Sequence, residues 1–209
     1  MADILLDEQG KPTAPSSGQM ILYPDSNSSS FVQLNDAGRV QGDDYRASVA
    51  QQTGFATDTY LVNSGLILPS SSMQAGMILE WEFAVVKTAA GTATPIYQIR
   101  IGANQTTGDT SRLTLTGPAQ TAAVDTGIVN IRVVVRSVAA TGVIQGWARL
   151  DHNLAATGLA NTPAGLSLVQ ATSAAFDNTN LGGLYIGLSI NGGGSAAWTI
   201  EQVIGRIYY

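Results

Sequence analysis

Met77-Ile78-Leu79-Glu80-Trp81-Glu82-Phe83-Ala84-Val85 settles the fold class. Met77, Leu79, Trp81, Phe83 and Val85 alternate with Ile78, Glu80, Glu82 and Ala84, and a period of two marks a strand with one buried face. The pattern recurs downstream in Tyr97, Ile99 and Ile101, in Leu113 and Leu115, and in Val129, Ile131, Val133 and Val135. It returns in Ile144, Ala148 and Leu150, and again in Leu184, Ile186, Leu188 and Ile190. Leu166 and Leu168 open a further strand; in the last one Trp198, Ile200 and Ile204 alternate with Thr199, Glu201 and Val203. With a first strand over 57–62 these make about eight strands, the number an antiparallel sandwich needs. Turn-forming clusters such as Ala103-Asn104, Thr141-Gly142 and Asn191-Gly192-Gly193-Gly194 separate them. No segment carries a sustained helical apolar face. The expectation is an all-β chain whose residues 55–209 form an antiparallel jelly-roll-like sandwich; a sandwich of different strand order is the alternative.

Residues 1–54 read differently. Asp7-Glu8-Gln9-Gly10-Lys11-Pro12, Ala14-Pro15-Ser16-Ser17-Gly18 and Ser26-Asn27-Ser28-Ser29-Ser30 are turn-rich, and short apolar pieces lie between and around them. Leu5, Leu6, Ile21, Leu22, Tyr23, Phe31, Val32 and Leu34 are too many apolar groups for a solvated tail and too interrupted for an independent domain. They are the candidate docking and oligomer contacts of an extended N-terminal arm, ordered by copies of itself or by a partner. Asp43 to Gln52 reads as a short helix or a linker, and the boundary between arm and sandwich is placed at Thr53-Gly54.

The chain has 209 residues, ten Lys+Arg and fifteen Asp+Glu, a formal charge of −5. That balance argues against binding nucleic acid through bulk electrostatics. Only 12% of residues are charged while 44% are hydrophobic; an ordinary soluble domain holds about 25% charged residues. The surface is therefore rich in Ala, Thr, Ser, Gly, Asn and Gln, which suits close packing against neighbours. With no cysteine there is no disulfide, thiolate metal site or cysteine nucleophile. Met1 leads into acidic residues where a signal peptide needs basic ones, and no apolar run approaches the roughly 20 residues of a membrane span. The expectation is synthesis in the cytoplasm without membrane insertion.

Reactive constellations are sparse. His152 is the sole histidine, and Asp151 beside it points to the opposite strand face, so a histidine hydrogen-bonded to a loop is the expected reading. No Gly-x-Ser-x-Gly elbow accompanies it, and one histidine without cysteine does not furnish a zinc set. Glu80 and Glu82 share one strand face and are the one carboxylate pair to weigh for glycoside hydrolysis, against an ordinary solvated face. Asp43-Asp44 and Asp109 are weak calcium ligands at best, because neither resembles an EF-hand loop. Asn191-Gly192-Gly193-Gly194-Ser195 lacks the Gly-Lys-Ser/Thr ending of a phosphate loop and reads as a tight turn. Trp81, Trp147 and Trp198 read most simply as core or sheet-packing residues; the alternation leaves the face of Trp147 open, and an outward Trp147 would meet a neighbouring chain or a sugar ring. No catalytic residue, cofactor site or metal site is assigned.

Thr88-Ala89-Ala90-Gly91-Thr92-Ala93-Thr94-Pro95, Gln120-Thr121-Ala122-Ala123-Val124-Asp125, His152-Asn153-Leu154-Ala155-Ala156-Thr157-Gly158 and 189–199 resemble segments of tailed-bacteriophage virion proteins of the fibre or minor structural type. Pro15 to Tyr23, followed by Leu34-Asn35-Asp36-Ala37-Gly38-Arg39-Val40, looks like the lead-in of many phage fibres. The resemblance is one of texture, scattered over 88–199 and the arm. It implies a non-enzymatic homotrimer in the virion, a head or tail fibre or a capsid decoration protein, whose arm docks on other virion proteins. A tip that binds host-surface glycan is the alternative, and a glycan-cleaving tailspike a third reading. No catalytic residue carries over.

Overall fold

The computed structural model describes residues 10–26, 30–35, 40–41, 43–163 and 167–208. Every element named in it is a β-strand: β1 (Met20–Asp25), β2 (Ser30–Asn35), β3 (Val40–Gln41), β4 (Asp43–Ser48), β5 (Gln52–Thr53), β6 (Thr59–Tyr60), β7 (Leu66–Ile67) and β8 (Ile78–Lys87). There follow β9 (Ile96–Gly102), β10 (Thr110–Thr116), β11 (Asp125–Ser137), β12 (Val143–His152), β13 (Ser167–Thr172), β14 (Tyr185–Asn191) and β15 (Trp198–Tyr208). They form three antiparallel sheets. The arm sheet runs β1-β2-β3; the small sheet runs β10-β9-β14-β6, with β7 also on β14; the large sheet runs β13-β12-β11-β8-β15-β4, with β5 also on β15.

The small and large sheets pack as a sandwich, and the alternation read in the sequence supplies its filling. Leu79, Trp81, Phe83, Ile99, Ile131, Val133, Ile186, Leu188 and Ile200 are all buried in one core. Each such aliphatic or aromatic side chain contributes roughly 1.5–3 kcal/mol by leaving water. Both buried indoles keep a partner for their N–H, Trp81 Nε1 donating to the Ser64 carbonyl at 2.7 Å and Trp198 Nε1 to Gln120 Oε1 at 2.8 Å. Gly146 falls between Ile144 and Ala148 on the inward face because the sheets approach there. A Cβ at Gly146 would meet Leu113 Cδ2 at 2.7 Å and Val133 Cγ2 at 3.1 Å.

Three expectations need correction. Asp43 to Gln52 is neither helix nor linker: β4 and β5 pair along β15 and cover its open edge, so the large sheet reaches back to Asp43, upstream of the expected boundary. Only Thr59–Tyr60 of the first expected strand pairs as β6, since the chain turns at Asn63, with φ 63°, and Ser64. There the Ser64 hydroxyl accepts from the Leu188 amide at 2.9 Å. In β15 the register shifts between Ile200 and Gln202. The extra residue reverses the phase, so Val203 and Ile207 are buried and Ile204 faces outward.

Candidate functional site

The outward residues of the large sheet form a grid set by strand register. One row crosses Gln170, Trp147, Arg132, Glu80 and Arg206; the next crosses Leu168, Arg149, Asn130, Glu82 and Ile204. From Trp147 to Arg206 and from Arg149 to Ile204, the two rows surround a shallow depression of about 220 Å³, together with Asp151. Trp147 is half-buried at one end, and the Arg132 guanidinium lies 5.7 Å from its ring centre, a cation–π distance. Arg132 Nε donates to Glu80 Oε1 at 2.5 Å, and its Nη2 forms an ion pair with the same oxygen. Arg149 pairs with Asp151 at 3.1 Å. The Arg206 guanidinium is held above its ordinary value by a hydrogen bond with Tyr208, and by the fields of Tyr208, Glu80 and Glu82. A chain poor in charge thus gathers three arginines and three carboxylates on one face.

Glu80 and Glu82 stand side by side on one strand, about 7 Å apart along it by strand geometry, and Glu80 is already engaged by Arg132. They do not face each other across a cleft, as an acid and base acting on opposite sides of a sugar ring must. His152 meets Asp125, not Asp151. Its Nδ1 lies 2.8 Å from Asp125 Oδ2 and its Nε2 2.9 Å from the Thr162 carbonyl, with both side chains fully buried. A dyad whose outer nitrogen is stopped by a backbone carbonyl has no nucleophile to activate.

Asp109 is consumed locally, its carboxylate accepting from the Asn104 and Thr106 amides at 3.2 and 3.4 Å. Asp43 and Asp44 lie on β4 opposite Tyr208 and Ile207. Among the described residues no group of three or more His, Asp or Glu is placed to hold a metal ion. Asn191 Oδ1 accepts from the Gly193 and Gly194 amides, both at 3.0 Å, and both glycines have positive φ, so the glycine-rich run is a side-chain-capped turn. No helix among the described residues is long and apolar enough to cross a membrane.

In the arm, β1 and β2 pair from Met20↔Asn35 to Asp25↔Ser30. Tyr23, Val32 and Leu34 are buried together with Ile21 half-buried against them. Leu22 is on the other face, 65% exposed, as is Met20. Phe31 lies opposite Pro24, its side chain outside the described residues, as are Leu5 and Leu6 altogether. The Ser70 hydroxyl donates to Asp25 Oδ1, joining the arm sheet to the loop after β7.

Arg149, Arg206, Asn130 and Asp125 were not singled out by sequence reasoning. Their signal was the outward phase of the same alternation for Arg149 and Asn130, and for Asp125 a lone acid at a strand entry; Arg206 lies beyond the bulge that reverses β15, so the alternation put it on the wrong face. No family model matches the chain, and no curated protein matches it.

Proposed function

We propose that this chain is a non-enzymatic structural protein of a tailed-phage virion, a homotrimeric fibre or decoration protein whose arm docks on the particle and whose sandwich projects from it or covers it. The observation that carries the reading is the two-faced arm hairpin. One face has its own small core of Tyr23, Val32 and Leu34, and the other leaves Met20 and Leu22 65% exposed. Apolar side chains on the open face of a marginal three-stranded sheet gain from a partner surface. The charge-poor, small-residue composition and the resemblance to phage fibre segments point the same way.

The test is Met20→Lys with Leu22→Lys in the full chain. The expected result is a folded sandwich that no longer attaches to particles lacking the protein. Light scattering is expected to fall from three times 21.7 kDa towards one. Undiminished attachment and mass would overturn the arm's role.

A second reading is a glycan-binding tip, favoured by Trp147 at the edge of a polar depression with Asn130, Glu82 and Arg149 around it. Trp147→Ala separates the two: it abolishes adsorption to host glycan under the second reading and leaves particle attachment intact under the first.

A further inference from the structure

Three ionisable side chains are shut into one end of the sandwich. Lys87 closes β8, Asp125 opens β11 directly opposite it, and His152 closes β12 opposite Gly127. Lys87 Nζ donates to the carbonyls of Thr88, Thr121 and Ala123 at 2.9, 2.8 and 3.2 Å, which accounts for all three ammonium hydrogens. Asp125 Oδ1 accepts from the amides of Thr126 and Leu154 at 2.8 and 3.3 Å, and Oδ2 from Leu159 at 2.9 Å. Three backbone donors converge on its two oxygens, so both act as acceptors. Both nitrogens of His152 therefore face atoms that only accept: a carboxylate at Nδ1 and the Thr162 carbonyl at Nε2. A neutral imidazole has one N–H and satisfies one of them.

The segment His152 holds is 153–163, which packs against 117–124. Thr121 and Gly158 exchange backbone and side-chain hydrogen bonds, Thr121 N to the Gly158 carbonyl at 2.9 Å and Gly158 N to Thr121 Oγ1 at 2.6 Å. Asn161 N donates to the Ala119 carbonyl at 2.8 Å, and Leu159 and Ala160 are buried beneath. Gly158 has φ +83°, and a Cβ there would sit 2.4 Å from Asp125 Cβ, so the segment crosses directly over the carboxylate.

We infer that His152 is a proton-operated clasp: as an imidazolium it pins Thr162, and with it the end of segment 153–163, to Asp125, and loss of one ring proton releases Thr162. The carboxylate is the stronger acceptor, so the hydrogen that remains stays on Nδ1. The Nε2 lone pair then opposes the Thr162 carbonyl. The charged groups facing the ring are Asp125 from β11 and, beyond it, Lys87 from β8. Segments 117–124 and 153–163 hold no charged residue, and Asp151 pairs with Arg149 instead.

The chain has a single histidine, so ¹⁵N-labelled full-length protein gives one pair of imidazole signals. At slightly acid pH both nitrogens are expected to carry hydrogen. On raising the pH, Nε2 alone should lose it, and the exchange protection of the Ala160, Asn161 and Thr162 amides should fall about ten- to hundredfold with the same midpoint, the scale of a lost charge-assisted hydrogen bond. In His152→Gln that step in protection should vanish. A ring that titrates with no change in protection, that loses its proton from Nδ1, or whose step persists in His152→Gln would overturn the clasp. If His152→Gln does not fold, the wild-type titration decides alone.

Discussion

The arm sheet and the sandwich obey the same alternation of inward and outward side chains and differ in what that alternation encloses. In the sandwich two sheets face each other, and the inward residues of β8, β9, β11, β12, β14 and β15 merge into one core. In the arm Tyr23, Val32 and Leu34 are buried as a small separate cluster on one face, and an equally apolar pair, Met20 and Leu22, is left on the open side. A second layer is what turns periodicity into stability, since burial scales with the area removed from water. The sandwich therefore carries the stability of the chain and the arm carries its unpaired surface.

The sharpest way to break this comparison is a matched pair of core truncations. Trp81→Ala is expected to destabilise the protein by about 3–5 kcal/mol, the cost of a large core cavity, read from the midpoint of urea unfolding. Tyr23→Ala should disorder the arm while moving that midpoint by less than about 0.5 kcal/mol. Equal losses from the two would show a single cooperative unit.

Truncation sharpens the border between the regions. Deleting residues 1–42 should leave the sandwich's unfolding midpoint close to that of the full chain. Deleting 1–53 also strips β4 and β5 from β15 and should cost on the order of 2 kcal/mol more, from lost ladder hydrogen bonds and exposed side chains. Identical midpoints for the two truncations would return the border to Gly54.

A smaller effect, of opposite sign, is expected at Tyr97, whose hydroxyl is buried without a hydrogen-bond partner. Burial pushes its phenol well above the ordinary value and that of Tyr60 up to about 12. Tyr97→Phe removes the orphan and should stabilise the fold by up to about 1 kcal/mol. The raised phenols also set a sign. They cost the fold nothing below about pH 10, and above it stability falls, because the unfolded tyrosines ionise while the folded ones keep their protons. Absorbance at 295 nm should accordingly show Tyr97 ionising only with unfolding.

The smallest effect belongs to the sandwich's charged outer face. Glu80→Gln with Glu82→Gln should change stability by no more than about 1 kcal/mol, the scale of exposed ion pairs, and should leave particle attachment intact. Loss of a measurable glycan-cleaving activity in that double variant would instead make the face a catalytic one.

Trp81, Phe83, Ile131, Val133 and Ile186 could be assigned to the core from the chain alone, because strand geometry sends every second side chain to the same face. The outward place of Glu80 and Glu82 followed from the same rule; the face of Trp147 stayed open until the sheet was assembled. The rule did not extend to β15, where one extra residue at Glu201 exchanges the faces of Val203 and Ile204; a bulge leaves no mark on composition. Nor did it extend to β4, whose Asp43-Asp44-Tyr45-Arg46 has no apolar stripe and is strand only because the edge of β15 offers it hydrogen bonds. Strand order, the charged grid and the joining of His152 to Asp125, 27 residues away, are decided by which strands lie side by side. Periodicity reports which way a side chain points, and only the assembled sheets decide what it meets.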